Sequence, residues 1–159
     1  PDPTALLTAA VAGLRALLVA RGLVKREFRI EATVLRPGYN NPLKFAASDE
    51  QAVRALLEAR DDGVRAVEDA VADLTAHEVA VLEATQAAAR ALLERLAPAA
   101  IEADEDRSAL FGAFAERRLW QAYKRRHAQL LAQLDDDFDS AFGTAFARAY
   151  EQAIGRGRR

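Results

Sequence analysis

The chain has 159 residues and a mass of 17.3 kDa, enough for one domain with a substantial core. Hydrophobic residues make up 51% and charged residues 29%, which excludes a fully disordered chain. A net charge of -2 supplies no global pull toward nucleic acid or an anionic membrane. There is no Cys, so disulfide scaffolds, thiolate zinc sites and cysteine nucleophiles are excluded; with only His77 and His127, so is a three-His metal site. The chain starts at Pro1 and contains no Met, so it reads as an excised piece of a longer protein. Nothing resembles a signal peptide. Arg15 and Arg21 break the first apolar run, so membrane insertion is not expected and a cytoplasmic location is the simplest reading.

Asp2-Pro3 reads as a helix N-cap followed by Pro at the first helical position. Leu7, Val11, Leu14 and Leu18 then carry a helix past Leu23, and the pattern extends through Phe28 toward Leu35. Pro37-Gly38 stops it, and the stretch from Arg36 to Phe45 reads as an irregular crossover. Ser48 with Gln51 three residues on is a capping-box pattern for a short helix bearing Val53, Leu56 and Leu57. Asp61-Asp62-Gly63 reads as the next turn. A long central helix is predicted from Val64 to Leu96, with Val64, Val67, Val71, Leu74, Val81, Leu82, Leu92, Leu93 and Leu96 as its apolar stripe. Pro98 ends it or opens a short helix across Ala99 to Ala103.

Asp106 or Ser108 can cap a further helix to Leu134, anchored by Phe111, Phe114, Trp120, Tyr123, Leu130, Leu131 and Leu134. Asp135 to Asp137 mark a break. The last helix carries Phe138, Phe142, Phe146 and Tyr150 at strict i+4 spacing, the pattern of a core seam against the Trp120 helix. Residues 155–159 read as a disordered basic tail after a helical domain over 1–154. The expected fold is all-α: a single bundle of five or six helices, with one long central helix and an irregular crossover loop.

Chemistry-bearing patterns are sparse. Asp135, Asp136, Asp137 and Asp139 suit a hard cation, but also a helix start, and the spacing is not that of an EF-hand. Arg117, Arg118, Lys124, Arg125 and Arg126 flank Trp120 and Tyr123, a pattern shared by single-strand binders and by an aromatic core face beside a solvated basic face. His77 beside Glu78 reads as a core or boundary histidine. The string Asn40-Asn41-Pro42-Leu43-Lys44-Phe45 is the most unusual stretch in a chain otherwise rich in helix formers. No P-loop, dinucleotide turn, G-x-S-x-G or H-E-x-x-H occurs, so no catalytic residue and no cofactor site is expected.

Four blocks, in order, carry a resemblance: Lys25-Arg26-Glu27-Phe28-Arg29-Ile30-Glu31, then Asn40 to Phe45, then Asp73-Leu74-Thr75-Ala76-His77, and Leu119-Trp120-Gln121-Ala122-Tyr123 followed by Asp137-Phe138 and Phe142 to Glu151. In these the chain resembles the C-terminal domain of the FHA-domain protein associated with bacterial type VI secretion. In that family an FHA β-sandwich that reads phosphothreonine precedes a helical C-terminal domain. The β-rich half has no counterpart here, so phosphopeptide binding is not assigned. The resemblance implies a non-enzymatic scaffold or adaptor that binds baseplate or membrane-complex components of the secretion apparatus, with self-association open. The surface it nominates is Phe28, Arg29, Asn40, Asn41, Pro42, Leu43, Lys44 and Phe45. On this reading Lys44→Glu weakens partner binding and leaves the melting temperature nearly unchanged. Two other classes stay open: a metal-dependent helical enzyme using Asp135, Asp139, His127 and Glu78, and a nucleic-acid binder using Arg117 to Arg126.

Overall fold

A computed structural model describes residues 2–30, 40–105 and 114–157. The described residues are all-α, as the sequence implies. The helices are α1 (Pro3–Glu27), α2 (Pro42–Phe45), α3 (Asp49–Glu58), α4 (Asp61–Arg95), α5 (Pro98–Asp104), α6 (Ala115–Asp136) and α7 (Thr144–Gly157), with a π-helical turn over Asp139–Gly143 before α7. The chain divides into two compact units whose boundary falls within α4, between Ala80 and Val81.

In the first unit, α1 starts where its cap pattern places it, with Asp2 accepting a 2.9 Å bond from the Thr4 N–H. It ends earlier than the periodicity suggests. Arg29 adopts a left-handed φ of 51°, the Ile30 N–H bonds the Lys25 carbonyl, and the Arg29 N–H bonds the Arg26 carbonyl. That is a Schellman stop built on Arg rather than Gly. The predicted continuation to Leu35, and the Pro37-Gly38 stop, lie outside the described residues.

The expected irregular crossover is partly wrong. Pro42–Phe45 is one helical turn, because Asn41 is extended before Pro42 and caps it by accepting from the Leu43 N–H. Ser48 caps α3 by accepting from Gln51 N–H at 3.2 Å, one leg of the predicted box. Asp61-Asp62-Gly63 is not a turn but the first turn of α4, where two carboxylates meet the positive end of the helix dipole. The reversal sits at Arg60, with φ 50°. The close approach of α3 requires a glycine at 63: a Cβ there would lie 2.9 Å from the Leu56 carbonyl carbon.

The core of this unit joins Val11 of α1, Leu43 of α2, Ala52, Val53 and Leu56 of α3, and Ala66 and Ala70 of α4. The predicted Val/Leu stripe on α4 is only partly its buried face: Val67, Leu74, Val81, Leu92 and Leu96 are half-buried, and Val67 packs against the core. Val64, Val71, Leu82 and Leu93 are exposed, whereas Ala66, Ala70, His77, Ala80, Ala84 and Ala88 are buried. Small side chains let a neighbouring backbone approach closely, and that decides the face.

α1 runs against one expectation. It contains an 18-residue window of mean hydropathy 1.7, of which 6% is buried, so by length and composition it is apolar enough to cross a membrane despite Arg15 and Arg21.

In the second unit, Arg125 pairs with Glu105 at 2.8 Å and Arg126 pairs with Asp104, tying α6 to the end of α5. Asp104 and Glu105, at the acidic end of α5, thus serve as ion-pair acceptors. The capping sites Asp106 and Ser108, and Phe111, lie outside the described residues. Asp137 ends α6, as expected of the acidic break, and its carboxylate accepts from the Ser140 N–H.

Phe138, Phe142, Phe146 and Tyr150 form a stacked ladder, with ring centroids 5.0, 6.0 and 6.3 Å apart. An i+4 series drifts about 40° per step around an α-helix. The π turn, with its i→i+5 bond from Thr144 to Asp139, offsets that drift. Phe146 and Tyr150 are buried. Trp120 itself lies outside any buried seam: it is 58% exposed and stacks on Tyr123 at 5.3 Å, while Ala122 and Leu130 are the buried residues of its helix. α7 stays helical to Gly157, so residues 155–157 are not the disordered tail expected of them, and residues 158 and 159 lie outside the described residues.

Candidate functional site

The nominated surface centres on α2. Three side chains anchor this single turn. Asn41 is buried and donates through Nδ2 to the Ala66 carbonyl of α4 at 2.7 Å, while its Oδ1 accepts from Leu43. Arg15 of α1 reaches across with four bonds: to Asp49 at 2.7 Å, and to the carbonyls of Pro42, Leu43 and Ala46 at 3.2, 3.3 and 2.8 Å. Lys44 pairs with Asp73 of α4. A four-residue helix has no stability of its own, so these anchors and buried Leu43 define it.

The eight nominated residues therefore divide. Asn41 and Leu43 point inward and Pro42 is half-buried. Asn40 is exposed, and Phe45 is 52% exposed. Phe28 and Arg29 sit in the Schellman stop of α1, half-buried and exposed respectively. Lys44 is engaged with Asp73, so Lys44→Glu also breaks an internal ion pair and does not report on partner binding alone. Two of the resembling blocks, Asn40 to Phe45 and Asp73 to His77, are joined by that pair.

A second feature of this unit brings together Arg21, read in the sequence only as a charge interrupting an apolar run, and His77, read as a core or boundary histidine and found buried. Between α1 and α4 lies an open groove of about 450 Å³. Arg21 and His77 both line it and both are buried. The His77 pKa is lowered, chiefly by burial, then by the charges of Arg21 and Lys25, with Glu78 opposing. His77 is accordingly neutral at pH 7.

The remaining candidates do not assemble. Among the described residues no three His, Asp or Glu side chains converge to hold a metal ion, so Asp135, Asp139, His127 and Glu78 are not brought together. Trp120, Tyr123 and His127 stack along α6, but Trp120 and His127 are exposed and Tyr123 half-buried, so the expected aromatic core face is a surface ladder. Arg125 and Arg126 of the adjacent basic run are taken up by α5.

What the described residues define is a small all-α accessory domain with two built features, a pinned turn and a groove with buried basic residues, and no catalytic constellation among them. The family model describing the C-terminal domain of the type VI secretion system FHA protein matches residues 3–153, and the chain belongs to that family. It is thereby tied to the type VI secretion system. No curated protein and no solved structure matches the chain significantly.

Proposed function

We propose that this domain is a non-enzymatic adaptor that binds cytoplasmic baseplate or membrane-complex components of the secretion apparatus. One observation carries the reading: a single helical turn, α2, is held by Arg15, Asn41 and Lys44 and leaves Phe45 and Asn40 facing outward. A large aromatic displayed on a rigidly anchored turn is the arrangement of an interface anchor, because little ordering is left to be done on binding. Arg29, exposed at the end of α1, belongs to the same nominated set.

The test is a cross-linked pull-down from a bacterium carrying the secretion genes, comparing wild type with Phe45→Ala. Recovery of secretion components by wild type and their loss with Phe45→Ala supports the reading. Equal recovery by both moves the contact away from α2. Recovery by neither rejects adaptor function for this domain.

The exposed Trp120–Tyr123 stack favours a second reading, a single-stranded nucleic-acid platform with Arg117 and Lys124 exposed on the same helix. Affinity for oligothymidine that falls steeply with salt is its signature.

A further inference from the structure

The groove between α1 and α4 is walled by Leu14, Leu17 and Val24 on one side and Val71 and Leu74 on the other. On α1 these positions span about 15 Å along the helix axis. The rim is open: Leu17 is 56% exposed and Val71 is exposed as well. An open apolar trough between two helices has the shape that accepts a third helix rather than a compact small molecule.

Arg21 lines this trough and is only 9% exposed, and among the described residues its Nε has no hydrogen-bond partner. A buried guanidinium is ordinarily paired, because taking the cation out of water is costly. Glu78 also lines the groove but supplies no bond to that Nε. Lys25 lies one turn from Arg21 on α1, and the lowered pKa of His77 disfavours a second positive charge beside Arg21. Apolar walls around a buried guanidinium with an unsatisfied Nε are complementary to an apolar surface bearing one anion.

We infer that the α1–α4 groove seats an amphipathic helix of a partner protein that presents one Asp or Glu carboxylate among apolar side chains, the carboxylate pairing with Arg21. Guanidinium and carboxylate match as a two-bond fork, which fixes the register of the incoming helix. The apolar anchors at i±3 and i±4 around that acid fill the space between Leu14, Leu17, Val71 and Leu74. This inference rests on the adaptor reading and supplies the chemistry of its partner.

The probe is a displayed library of short single helices with their outward positions randomised, selected against the whole 159-residue chain. The expected result is a family of binders with an acid at one fixed position flanked by apolar residues at helical spacing. Changing that acid to its amide, or Arg21→Gln in the domain, should weaken binding about thirtyfold or more. Leu17→Glu on the exposed rim should weaken it comparably while the thermal melt stays unchanged, which keeps the test valid if Arg21→Gln perturbs folding.

Binders without a fixed acid, binders indifferent to Arg21→Gln, or no groove binder at all would overturn the inference. So would vesicles of phosphatidylethanolamine and phosphatidylglycerol that take up wild type and Arg21→Gln equally and displace the selected helices. A concentration-dependent dimer abolished by Leu17→Glu would also overturn it, by making a second copy the occupant. The pull-down separates the two proposals. Secretion components captured equally by wild type and Arg21→Gln remove the groove as the partner's seat and leave the adaptor standing. Capture by neither removes the adaptor.

Discussion

Arg21→Met is expected to make the domain more stable. The substitution keeps an unbranched stem in the groove wall and removes a buried cation whose Nε has no hydrogen-bond partner. Leaving such a donor unsatisfied costs about 1–3 kcal/mol. Replacing buried charge with apolar side chains of similar volume stabilises proteins by about 1–4 kcal/mol in measured cases. A gain of about 1–3 kcal/mol is therefore expected at neutral pH, and each kcal/mol corresponds to about 2–4 °C in melting temperature for a chain of this size. Urea denaturation with an unchanged m-value reads the same quantity independently.

The gain should also depend on pH. His77 has a folded-state pKa lowered below 6.5, in part by the Arg21 charge. A lowered pKa means that the neutral form is favoured on folding. Its contribution is fully present above the unfolded value, near 6.5, and is lost as pH falls toward the folded value. Without Arg21 the folded pKa moves back up, so less stability is lost in acid. The advantage of Arg21→Met over wild type should be larger at pH 5 than at pH 8, and NMR titration of His77 should show the rise directly. A variant less stable than wild type at both pH values, with an unmoved His77 titration, would refute the reasoning and mean that Arg21 is satisfied in the fold.

Gly63→Ala should destabilise by about 1–3 kcal/mol, because the new methyl group meets the Leu56 backbone and α3 must move; chemical denaturation measures it. Asn41→Ala removes a cap and leaves the Ala66 carbonyl without its 2.7 Å donor, for an expected loss of about 1–3 kcal/mol and faster amide exchange in α2. Trp120→Ala should change stability by less than about 0.5 kcal/mol, as befits an exposed ring, whereas a core Trp would lose about 3–5 kcal/mol.

Much of the fold was legible from local chemistry. The caps at Asp2 and Ser48, the acidic break before Phe138 and the helical repeat of apolar residues each act within a few positions of chain, so the sequence displays them. What was not legible depends on contacts between distant segments. The Schellman stop at Arg29 uses a residue with no preference for left-handed φ, and buried Ile30 after it is the only local hint. The α4 helix hides its core face because Ala66, Ala70, Ala80, Ala84 and Ala88 carry little weight beside Val and Leu in any apolar count, yet close approach selects them. Trp120 and Tyr123 read as core because aromatics usually are. Their exposure follows from Ala122 and Leu130 taking the buried face of α6. In the candidate site, the odd string Asn40 to Phe45 was visible, but its division into inward Asn41 and Leu43 and outward Phe45 was not. The groove was invisible, since Arg21 meets His77 only through folding.

Arg15 and Arg21 sharpen the point, being the same residue type on the same helix. On sequence both merely interrupt an apolar run. In the fold Arg15 spends its donors on Asp49 and three carbonyls of α2 and the segment after it, whereas the Arg21 Nε bonds nothing among the described residues. The same substitution at the two sites should therefore act with opposite sign. Arg15→Met leaves those carbonyls and Asp49 without their donor and frees α2 from α1. Hydrogen bonds to charged groups contribute about 1.5–3 kcal/mol, so a loss of about 2–3 kcal/mol is expected in urea titration, against a gain for Arg21→Met. If both variants lost stability alike, both arginines would be structural and the groove would need no partner. If only Arg15→Met does, the domain carries in Arg21 a cation that its own fold does not use.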